Sequence, residues 1–168
     1  MRHAWAFLGG VSLVLAAAGC AATSAPRGPK KPPPSGVVPT QIVTSIGPFD
    51  DTDANGYPDS ATVSVYIFSD AYPEASIMLP ATLTFRLRGK SGTVLREWDF
   101  SSEQTAGLVR RAPAGPCYVV RLSLLDTEAG DEVPESRADL SVTYRTLTGT
   151  TLVSVPEPVR VGRAGRSP

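Results

Sequence analysis

The octet Ala81-Thr82-Leu83-Thr84-Phe85-Arg86-Leu87-Arg88 decides the fold class. Leu83, Phe85 and Leu87 alternate strictly with Thr82, Thr84, Arg86 and Arg88. A period of two puts the apolar set on one face of a strand and the polar set on the other, whereas a helix would scatter the same residues around its axis. The pattern recurs at 62–68, where Val63, Val65 and Ile67 share a face, at 117–125 with Tyr118, Val120, Leu122 and Leu124, and at 139–147 with Leu140, Val142 and Tyr144. Weaker versions at 41–46, 93–100 and 151–155 bring the count to about seven strands.

Short strands split by turn residues predict an all-β chain, a single antiparallel β-sandwich of immunoglobulin-like type with these apolar rows as its core. Gly89-Lys90-Ser91-Gly92 closes a hairpin in which Leu87 pairs with Val94, Phe85 with Arg96 and Leu83 with Trp98, leaving Arg96 as a misfit on the inner face. Either it snorkels at the sheet edge or a bulge shifts the register. Ser101-Ser102-Glu103-Gln104 has capping-box spacing ahead of 105–110, so one short helix is expected to cross between the sheets. Pro134, Pro156 and Pro158 mark edges and loops.

The rest of the chain divides around that domain. Residues 1–19 carry Arg2 and His3 and then a charge-free apolar run from Ala4 to Gly19, the form of a secretory signal and too short and rich in Gly and Ala to remain as a spanning helix. Residues 20–39 are rich in Pro, Gly and small polar residues and read as a tether, 40–162 as the sandwich and 163–168 as a frayed tail. Loss of the leader removes the only histidine and leaves fifteen basic against sixteen acidic residues. A chain without histidine carries no Ser-His-Asp or Cys-His pair and no His-ligated zinc or haem, so no enzyme activity is expected. The balanced charge gives no reason to expect nucleic acid as a partner.

Leu15-Ala16-Ala17-Ala18-Gly19-Cys20 resembles the lipobox of bacterial lipoproteins, apart from Ala17 where that family usually has Leu. The resemblance covers the first twenty residues and implies acylation of Cys20 and a membrane anchor of two or three acyl chains. An ordinary secretory signal cut near Ala18 is the other reading, and the small-residue run directly before a cysteine favours the lipobox. Ala21 and Ala22, where an Asp would signal retention at the inner membrane, imply the outer membrane by analogy. With Cys20 acylated, Cys117 has no intramolecular partner and is expected to be a semi-buried structural thiol.

Asp51-Thr52-Asp53-Ala54-Asn55-Gly56-Tyr57-Pro58-Asp59 is similar to the calcium loops of thrombospondin type 3 repeats and dockerins. By that resemblance Asp51, Asp53 and Asn55 give side-chain oxygens to Ca²⁺, Tyr57 a backbone carbonyl, Asp59 a direct or water-bridged ligand and Gly56 the sharp turn. The pattern departs at Thr62, where the family has a bidentate acid, and Asp50, Asp70 or Glu74 are candidates for the missing oxygens. The alternative is a solvated Asx-rich turn. No Lys or Arg lies between Lys31 and Arg86 to balance these acids, and a weakly held divalent cation relieves their repulsion.

Gly89-Lys90-Ser91 is not a phosphate loop, because Thr84 stands where that motif requires glycine. The basic stretch 86–111 and the acidic stretch 126–139 read as solvated surfaces or as a charge-complementary contact. The functional expectation is a lipid-anchored cell-envelope module with a binding or structural role, recruiting a protein or polysaccharide. A small carboxylate-dependent hydrolase and an accessory subunit of an envelope assembly are the alternatives. An exposed aromatic patch at Tyr66, Tyr72 or Trp98 favours binding, and a cleft with two inward acids favours hydrolysis.

Overall fold

A computed structural model describes residues 32–162. The leader, Cys20, most of the tether and the tail 163–168 lie outside the described residues. The elements in order are β1 (Gln41–Ile46), β2 (Ser60–Phe68), β3 (Ala81–Arg88), β4 (Val94–Phe100), α1 (Ser102–Gly107), β5 (Val109–Ala112), β6 (Gly115–Ser123), β7 (Arg137–Thr146), β8 (Thr151–Val153) and β9 (Glu157–Arg160). One sheet has the order β1-β2-β6-β5 and the other β4-β3-β7-β8, with β9 also pairing with β7. Every ladder is antiparallel. The chain is therefore an all-β sandwich.

The alternating rows read from the sequence supply the inner faces. Val63, Val65, Ile67, Leu83, Phe85, Leu87, Leu122, Leu124, Leu140, Val142 and Tyr144 are all fully buried. Each large aliphatic or aromatic side chain removed from water contributes on the order of 2 kcal/mol, so this double layer dominates stability. Phe85 meets Phe100 edge-on at 5.7 Å between ring centroids. Tyr118 and Tyr144, 6.2 Å apart, both donate their hydroxyls to the carbonyl of Leu79, which satisfies the polar tips of two core aromatics. Val37, from the end of the tether, also packs into the core.

The β3–β4 hairpin differs from the expected register by two residues. Leu83 pairs with Phe100, Phe85 with Trp98 and Leu87 with Arg96, and a one-residue shift between Leu87 and Arg88 accounts for half of the difference. The turn alone did not specify it, because a bulge adds a residue to one strand only and so changes which residues face each other beyond it. Arg96 remains on the inner face, only 9% exposed. It sits at the end of the sheet, where its guanidinium donates to the carbonyls of Leu95, Ala129 and Gly130 and so staples the β6–β7 loop.

The capping box is formed. Ser101 caps α1, its hydroxyl accepting from the Gln104 N–H while the Gln104 side chain accepts from the Ser101 N–H. The helix links the two sheets but ends at Gly107, and the following residues extend into β5 instead of continuing as helix to Arg110. β9, with Pro158 in it, is the other strand beyond the expected set, and it lies on a sheet edge where proline is tolerated. Cys117 is fully buried and reduced, deeper than the semi-buried position expected of it.

Candidate metal-binding loop

The segment joining β1 to β2 is a wide hairpin loop pinched at its base. Gly47 N–H donates to Thr62 O at 2.9 Å, and Asp50 exchanges backbone bonds with Asp59 and Ser60 at 2.8–3.1 Å. Inside that neck the chain turns on itself, with Ala54 at φ 61° and Gly56 at φ 91°. Glycine suits the second position because a side chain there is strained, and Ala54 accepts the left-handed conformation at some cost.

This turn folds the acids inward. Asp51 accepts from the N–H groups of Asn55 and Gly56 at 3.1 and 2.8 Å, and Asp53 accepts from Asn55 N–H and from its amide Nδ2 at 3.2 and 3.1 Å. Asp59, wholly buried, accepts from the N–H and the hydroxyl of Thr52, both at 2.7 Å. The result brings one carboxylate oxygen each from Asp51, Asp53 and Asp59 within 4.8 Å of one another. Burial acts to raise the Asp59 pKa, but hydrogen bonds from Ser60, Thr52 and the Asp53 N–H outweigh it and hold the carboxyl below its usual value. Asp59 is charged at neutral pH.

The remaining sequence candidates fall differently. Asn55 lies between the acids, but its Oδ1, the atom a cation uses, accepts from Tyr57 N–H at 2.8 Å. Asp70 accepts from Gln41 Nε2, at the opposite end of the β1–β2 ladder from the loop, and so supplies no oxygen here. The acid that does arrive is Asp131, from the β6–β7 loop. It is 7% exposed and accepts from Asn55 Nδ2 at 2.7 Å across 76 positions of sequence. From sequence that stretch reads as a solvated surface or a charge-complementary contact, and nothing local to it points to Asn55.

The donor set is entirely hard oxygen, which fits Ca²⁺ rather than a softer transition metal. Each carboxylate oxygen that accepts one hydrogen bond keeps a lone pair for an ion. Elsewhere, Tyr66 and Phe68 stack on the outer face of β2 with ring centroids 6.4 Å apart and planes 13° from parallel. Tyr72 is buried, and Trp98 is turned into the sandwich with its Nε1 donating to Ser123 O at 2.9 Å. Comparison with known protein families, with curated proteins and with solved structures finds no match to this chain.

Proposed function

We propose that the chain is a lipid-anchored cell-envelope protein, held at the outer membrane through Cys20, whose sandwich acts as a non-catalytic binding module. The observation that carries this reading is the sequence Leu15-Ala16-Ala17-Ala18-Gly19-Cys20, followed at once by a proline-rich spacer. The spacer favours polyproline II at about 3.1 Å per residue, enough to hold the sandwich tens of ångströms from the lipid surface. Two sheet orders, β1-β2-β6-β5 and β4-β3-β7-β8, support an immunoglobulin-like module, since they correspond to strands A-B-E-D against C′-C-F-G. The outward Tyr66–Phe68 pair favours binding over hydrolysis.

Calcium has a structural part in this reading. Asp51, Asp53 and Asp59 hold the ion, with Asn55 after its amide turns, and the Tyr57 carbonyl completes the set. The ion pins the loop and does no chemistry. Expression of the full chain in a bacterial host fed alkyne-palmitate tests the anchor. The expected result is a labelled, membrane-fractionating protein, with label and membrane association both lost in Cys20→Ala; an unlabelled soluble wild type overturns it.

A further inference from the structure

On one side of the sandwich the two sheets do not close. The end of β1 and the turn after it stand opposite β9, leaving a groove of about 660 Å³. That is within the size range of ligand sites. Both walls are sheet edges, since among the described residues β1 pairs only with β2 and β9 only with β7. Ile46, Phe49, Pro58 and Val159 give the groove apolar walls.

Two arginines line the same groove. Arg137 and Arg160 stand directly opposite each other in the β7–β9 register, both exposed. Neither guanidinium has a hydrogen bond or ion pair among the described residues, where the ion pair present is Arg86 with Glu97. Like charges directly opposite on a ladder repel, and an anion between them reverses the sign. The carboxylate lining the groove, Glu157, accepts from the Thr44 hydroxyl and forms no ion pair with either arginine among the described residues.

We propose that this groove docks an extended peptide that presents an apolar side chain next to a carboxylate. Strand edges suit an extended backbone. The apolar walls take the side chain, and paired guanidinium forks match a carboxylate. Walls that are aliphatic apart from Phe49 favour a peptide over a polysaccharide, which stacks better on a broader aromatic face. The proposal rests on the binding reading above and names its partner; it is independent of the lipid anchor and borders the calcium loop at Pro58.

The test uses the detergent-solubilised full chain, immobilised, against a pooled library of N-acetylated heptapeptides offered both as free acids and as C-terminal amides. Retained peptides are read by mass spectrometry and their affinities by fluorescence anisotropy. Expected is enrichment of peptides with an apolar residue beside a carboxylate; the amide arm separates a terminal carboxylate from an Asp or Glu side chain. Affinity falls roughly tenfold or more in Arg137→Ala and in Arg160→Ala, with thermal melts unchanged or slightly raised, while Arg145→Ala on the same strand has no effect. No retention, or retention indifferent to both arginines, overturns the proposal. Arginine-dependent binding of polygalacturonate in place of any peptide also overturns it and leaves the envelope-binding reading intact. Arginine-dependent peptide binding by a chain that fails to take up palmitate sustains the groove and removes the anchor.

Discussion

The acidic loop at 51–59 and the β7–β9 ladder both bring like charges together, and they treat the repulsion in opposite ways. In the loop the backbone is not committed to a ladder, so the N–H groups of Thr52, Asn55 and Gly56 turn inward and bond the carboxylates. In the ladder the backbone donors are spent on strand pairing, and an N–H is in any case the wrong partner for a guanidinium. Among the described residues, the guanidinium groups of Arg137 and Arg160 stay without an acceptor. Arg96 shows what an arginine gains when loop carbonyls are within reach. The comparison teaches that irregular backbone can neutralise clustered charge from within, whereas regular sheet leaves it to something outside.

The sharpest way to break that contrast is to remove one charge from each region. Asp59→Ala removes both hydrogen bonds by which the buried carboxylate holds Thr52 and is expected to lose about 3 kcal/mol of stability in urea denaturation, from two hydrogen bonds to a charged group. A loss no larger than that of an exposed surface variant would mean that the loop's internal bonds do not hold it together.

Titration separates the loop from the neutral core. The folded pKa of Asp59 lies below the ordinary 3.8, so its stabilisation is present above that pH and is lost as pH falls through the lower folded value. Tyr118 and Tyr144 move the other way. Burial raises both above the ordinary 10.0, so their contribution is complete below that pH and is lost as pH climbs past it. Absorbance at 295 nm should show these two among the five tyrosines ionising only as the protein unfolds at alkaline pH. Early, reversible ionisation of all five would contradict the buried pair.

Calcium probes whether the loop accepts an external charge on top of its internal bonds. With an affinity near 10⁻⁴ M, millimolar Ca²⁺ should stabilise the chain by about 1.4 kcal/mol over EDTA in a thermal melt, and Asp53→Ala should abolish the difference. An identical melt in both buffers would leave the segment as an Asx-rich turn. The smallest effect belongs to the ladder. Arg160→Ala relieves the opposition to Arg137 and is expected to leave stability unchanged or raise it by roughly 0.5 kcal/mol, by urea denaturation. A marked loss would mean the arginines already have a stabilising partner.

The sequence by itself determined the fold class and the composition of the core. Period-two alternation is a local property, and the rows centred on Val65, Phe85, Leu122 and Val142 are buried as read because a strand has only two faces and one must leave water. The capping box was legible for the same reason, its partners being three residues apart. The inward turn of the loop also follows from short-range chemistry, since Asp51, Asp53 and Asn55 bond neighbours within five positions. Tertiary structure alone decided the register of β3 on β4, the pairing of Asn55 with Asp131, the stapling role of Arg96 and the apposition of Arg137 with Arg160. Each depends on where two distant segments stop sliding past one another. Bulges and packing of whole sheets set that, and alternation is blind to it because a shift by two residues leaves every side chain on the same face.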